Sequence, residues 1–101
     1  MGDDVVNSVA WTADEEFTIA QAEGCRQALL DRLAALADGA PFGAIDLAAV
    51  TRIDTAAVQI LLALRRTLAG RGQALQLRDP SAPVRDALGL YGLADLLETA
   101  A

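Results

Sequence analysis

The chain has 101 residues, 53% of them hydrophobic, 22% charged and 4% aromatic, with a formal net charge of −6. That length fits one domain around a single core and leaves no room for a second. Histidine and lysine are absent and Cys25 is the lone cysteine. These counts exclude a Ser-His-Asp triad, a Cys-His pair, an internal disulfide and a cysteine- or histidine-based metal cluster.

The acidic balance, with arginines scattered rather than clustered, argues against a nucleic-acid backbone or an anionic membrane as partner. Residues 1–13 carry acids where a secretory signal carries positive charge. Arg or Asp interrupts every apolar run well short of the ~20 residues of a spanning helix. The expectation is a soluble, cytoplasmic protein forming one domain over residues 1–101.

Val5–Trp11 is the first expected strand, its apolar content being Val5, Val6, Val9 and Trp11. Asp14, Glu15 and Glu16 then read as a solvated turn. Phe17, Thr18 and Ile19 suit a second strand, and the two are expected to pair as an antiparallel hairpin. Glu23 to Ala37 has helical spacing, with Leu29, Leu30, Leu33, Leu36 and Ala37 on one side. Asp38-Gly39 and Pro41 end that helix. Phe42–Leu47 is almost wholly apolar, as a central strand buried on both faces should be.

Asp54–Gly70 is the second helix, with Asp54 as N-cap and Gly70-Arg71-Gly72 at its end. Ala74, Leu75 and Leu77 supply the next strand. Ser81 is the expected N-cap of a third helix, with Pro83 in its first turn and Gly89 breaking it. A further short helix is expected over Leu90–Leu97. The order is β-β-α-β-α-β-α-α: an α/β domain with a mixed four- to five-stranded sheet and helices packed on it.

Glycines form neither a GxGxxG pattern nor a phosphate loop. No carboxylate pair is singled out. Cys25 is best explained as a small filler residue, and Trp11 and Tyr91 as core or edge anchors. The informative stretch is Ile45 to Gln59, where a buried strand runs into a loop that delivers Asp54-Thr55 to a helix start. Capping alone accounts for Asp54. At ~100° per residue, Ala57, Ile60, Leu61, Leu64 and Leu68 form a stripe toward the sheet. Thr55, Gln59, Leu62 and Arg66 fall on the opposite side, so an exposed Leu62 is expected in line with the Thr55 hydroxyl. A mixed Thr/Gln/Leu/Arg face suits protein recognition better than catalysis. A phosphate on Thr55 would meet the favourable helix N-terminus but also the repelling Asp54.

The run Ala44 to Leu62, AIDLAAVTRIDTAAVQILL, resembles the signature of the STAS domain, a family named for sulfate transporters and anti-sigma factor antagonists. Residues 17–22, 72–77, 81–88 and 92–97 fit the same ordered pattern, so the likeness spans about Glu16 to Leu97. The resemblance implies a non-enzymatic regulatory module, with no cofactor or metal. In the antagonists, the residue after the Asp is phosphorylated by an ATP-dependent kinase that is itself the anti-sigma factor, and the unmodified antagonist binds that kinase. By position Thr55 is the candidate phosphorylation site and Asp54 the preceding acid. The implied partner-binding residues are Asp54, Thr55, Ala56, Gln59, Leu62 and Arg66.

The acceptor here is Thr where antagonists typically have Ser, and Ala57 stands where Gly is frequent. Asp-Thr variants resemble three further branches: bacterial stand-alone proteins of chemotaxis and two-component clusters, stressosome scaffolds, and the small cytoplasmic subunit of a phospholipid-transporting ABC system. The implied partner is an anti-sigma factor kinase, a sensor kinase or an ABC ATPase, met by a monomer or weak dimer. The acidic surface would associate faster with a basic partner patch.

Overall fold

The computed structural model describes residues 9–37 and 39–99. Val5–Ser8 of the expected first strand, and Asp38, lie outside them. The elements are β1 (Val9–Thr12), β2 (Glu16–Phe17), α1 (Ile19–Ala35), β3 (Ala44–Asp46), β4 (Arg52–Ile53), α2 (Thr55–Gly70), β5 (Gln76–Arg78), α3 (Ala82–Leu90) and a 3-10 helix, Ala94–Thr99. The α/β class and the sheet with packed helices stand as expected.

The antiparallel hairpin does not form. Among the described residues β1, β3 and β5 make a three-stranded sheet in the order β1-β3-β5, and β2 and β4 make a two-stranded one. Every pairing is parallel. The reason lies in the link between β1 and β2. Ala13 is buried and its N–H donates to the Asp46 carbonyl at 2.9 Å. The Glu15 carbonyl then accepts from the Thr51 and Arg52 N–H groups at 2.7 and 3.1 Å. The chain therefore keeps its direction, and β1-link-β2 runs alongside β3-loop-β4. Trp11 of β1 tilts against Phe17 of β2, ring centroids 5.6 Å apart, with Phe17 fully buried.

This layout makes α1 and α2 start side by side, directly after the paired ends Phe17 and Ile53. It also moves the start of α1 to Ile19, four residues before the expected Glu23. Thr18, its N-cap residue, makes no side-chain capping bond. The Ile19 N–H donates instead to Asp54 Oδ2 at 2.8 Å, a partner 35 residues away that local sequence cannot reveal. The core side of α1 is Cys25, Leu29 and Leu33, whereas Leu30 is exposed and Leu36 half-buried.

β3 is the central strand, with Ala44, Ile45 and the following Leu47 all buried. Helix α2 buries Ala57, Val58, Leu61, Leu64 and Leu68. The three leucines together contribute on the order of 5–9 kcal/mol of burial free energy. Gln73, just past α2, accepts from the Phe42 N–H at 3.0 Å and donates to the Ala40 carbonyl at 2.9 Å, fixing the approach to β3.

Gly89 does not break α3; it lies inside the helix. The terminator is Gly92, at φ +71°. The Leu93 N–H donates to the Leu88 carbonyl and the Gly92 N–H to the Gly89 carbonyl, the paired bonds of a helix end that needs a left-handed residue. Gly72 closes α2 in the same way. Tyr91 is thereby fixed as the C-cap of α3. Ser81 occupies the N-cap position of α3, but its side chain makes no capping bond. The expected last helix is shorter and tighter, the 3-10 turn from Ala94, and Arg65 of α2 pairs with its Asp95.

Candidate partner-binding site

Asp54 is the junction of the site. Its backbone is extended, so its side chain folds back over the start of α2, and Oδ1 accepts from the Ala57 N–H at 3.1 Å. Its other oxygen holds Ile19, as above. One carboxylate thus caps two helices, neither of which has an acid in its first turn. Both oxygens serve the chain's own backbone, so Asp54 positions the surface by holding the two helix starts together.

Thr55 follows as the first residue of α2 and is exposed. Its Oγ1 lies 2.5 Å from the Tyr91 hydroxyl, brought there because α3 packs on β4. Ala56 is half-buried, and Gln59 and Arg66 are exposed on the Thr55 side of the helix. Leu62 is half-buried, rather than exposed as expected. Sequence reading has Tyr91 as a core or edge anchor and misses its contact with Thr55: the residue is 49% exposed, off the core, and follows Leu90, 86% exposed. Nothing local flags the pairing, since Thr55 and Tyr91 are 36 residues apart. Ile19, 74% exposed, lies on the other side of Asp54. An open apolar groove of ≈ 360 Å³ runs between α1 and α2, its lining including Leu29, Leu30, Leu33, Gln59, Ile60 and Leu64.

Cys25 is in the interior of α1 and is 3% exposed. Burial pushes its thiol from about 9 up to about 12, which removes the reactive thiolate. The folded protein is expected to resist thiol reagents at pH 8 and to react once unfolded, as a colorimetric thiol assay would read. The unfolded chain loses this proton first, so the thiol's contribution to stability is present below about pH 9 and declines as pH rises toward 12.

A family model described as "Mlab, STAS domain" matches residues 11–98. The chain belongs to the STAS domain family. No curated protein and no solved structure matches it. STAS domains mediate protein–protein interaction and are generally non-enzymatic. No helix among the described residues of this STAS domain is long and apolar enough to cross a membrane.

Proposed function

We propose that this STAS domain is a partner-switching signalling module that docks on an ATP-dependent serine/threonine-type or sensor kinase through the Thr55 side of α2. Asp54, Thr55, Ala56, Gln59, Leu62 and Arg66 form the docking surface, and Thr55 is the phosphoacceptor. The observation that carries this reading is the exposed Thr55 at the first position of α2, next to a carboxylate that accepts from the backbone N–H groups of Ile19 in α1 and Ala57 in α2. In the transfer, Thr55 Oγ1 bonds to the γ-phosphorus of ATP, the bond to ADP breaks, and the hydroxyl proton passes to a base on the kinase. The modified oxygen can no longer donate a hydrogen bond, and a dianion replaces a neutral group at the docking surface.

A second reading keeps the same surface but leaves Thr55 unmodified: an accessory subunit docked on the ATPase of a phospholipid ABC transporter. It is favoured by the Thr55–Tyr91 hydrogen bond, which satisfies the hydroxyl without any modification. Isolating the protein from its own cells with its bound partner, and measuring the mass of the Thr55 peptide, separates the two. A kinase partner with an added phosphate on Thr55 supports the first reading. An ABC ATPase with unmodified Thr55 supports the second and overturns the first.

A further inference from the structure

We infer that Tyr91 is a positioning residue of the Thr55 site, holding the hydroxyl in the unmodified protein and donating a hydrogen bond to an anionic group that replaces it. The second half rests on the proposed phosphorylation; the first does not.

Tyr91 is no accident of a loose tail. It is the C-cap of α3, its backbone fixed by the Tyr91 N–H bond to the Ala87 carbonyl and by the bonds that follow at Gly92 and Leu93. Leu88, one turn back, is fully buried. The ring therefore projects from a rigid helix end, and its hydroxyl meets Oγ1 of Thr55 at 2.5 Å.

Both hydroxyls carry one proton and accept as well, so either can be the donor in the unmodified protein. A phosphate ester or a carboxylate at position 55 has acceptors only. The bond then runs one way, from the Tyr91 O–H to the anion, and becomes charge-assisted and stronger. Tyr91 thus favours the anionic state of position 55 and ties that state to the end of α3, where Leu90 is exposed. Asp54 does not take over this task, because its carboxylate oxygens only accept hydrogen bonds, as they do from the Ile19 and Ala57 N–H groups.

The test is a thermal-unfolding cycle on the free protein. Tyr91→Phe, which removes only the oxygen, is made with Thr, with Thr55→Val and with Thr55→Glu. If the ring serves only as packing, Tyr91→Phe costs the same in all three backgrounds. Hydrogen bonding to position 55 instead makes the cost smallest with Val and largest with Glu, the Glu case exceeding the Val case by at least about 2 °C. Tyr91 is the sole tyrosine, so its ring signals can be followed singly in an aromatic ¹H–¹³C spectrum. They are expected to move in both Thr55 variants. Equal costs, or ring signals unchanged by Thr55→Val and Thr55→Glu, overturn the inference. No partner enters this experiment, so it can fail while partner switching at Thr55 stands, and succeed where partner switching fails.

Discussion

Thr55→Glu is expected to weaken binding of the cognate partner by about 100-fold or more, while leaving the free protein as stable as the parent. The two effects come from different physics. In the free protein the new carboxylate sits in the first turn of α2, which has no acid of its own. A negative charge there gains about 0.3–1 kcal/mol from the helix N-terminus and a donor in the Tyr91 hydroxyl, which offset its repulsion by the adjoining Asp54. In the proposed complex the same carboxylate would be covered by a surface matched to a neutral hydroxyl. Removing a charge from water without a partner costs several kcal/mol, and each ~1.4 kcal/mol is tenfold in affinity.

Thr55→Ala loses only a neutral hydrogen bond of about 0.5–1.5 kcal/mol, so it is expected to bind within about tenfold of the parent. Titration calorimetry against the purified partner checks the order parent, Ala, then Glu. Equal binding by all three variants would remove Thr55 from the interface.

Asp54→Ala is expected to cost about 2–3 kcal/mol of folding stability, the sum of a lost N-cap and a second, charge-assisted hydrogen bond. A chain of 101 residues has a total stability of roughly 5–15 kcal/mol. The change is therefore a large fraction of the whole, visible as a fall in melting temperature of roughly 10 °C or more. The orphaned groups are the N–H of Ala57 in α2 and of Ile19 in α1. Asp54→Asn keeps one acceptor oxygen and is expected to lose about half as much. Urea unfolding of the three proteins checks this, and a loss for Asp54→Ala below ~0.5 kcal/mol would show that water replaces the carboxylate at both helix ends. Thr55→Glu and Asp54→Ala thus separate two proposed roles that adjoin in sequence: contact with the partner at Thr55, and support of the docking surface by the Asp54 carboxylate.

The legible parts of the fold are those whose cause is local. Helix α2 carries its apolar residues at helical spacing, has its N-cap at Asp54, and ends at Gly72, all within one stretch of chain. The surface placement of Thr55, Gln59 and Arg66 follows from that same spacing. β3 was legible because Phe42, Ala44, Ile45 and Leu47 make the run almost wholly apolar, Asp46 being the exception.

What escaped the sequence was set by contacts between distant segments. β2 and β4 are two residues each, too short to leave a period. Their parallel pairing is imposed by the Glu15 carbonyl bridging to Thr51 and Arg52. The early start of α1 depends on a carboxylate 35 residues away. Gly89 looked like a helix end because glycine is the weak point of a helix, but the buried Leu88 and the left-handed Gly92 place that end three residues later. The Thr55–Tyr91 pairing exists only because α3 packs on β4, so it had no signal in either segment alone.

If the Thr55 side of α2 is where a partner binds, backbone amides there must be shielded in the complex. Backbone hydrogen exchange of the protein with and without its purified partner ATPase tests it most directly. Slowed exchange is expected over the first turns of α2 and the Leu90–Tyr91 end of α3, with the β5 side unchanged. Slowed exchange confined to β5 and the Ala94–Thr99 turn, with α2 exchanging as in the free protein, would contradict it.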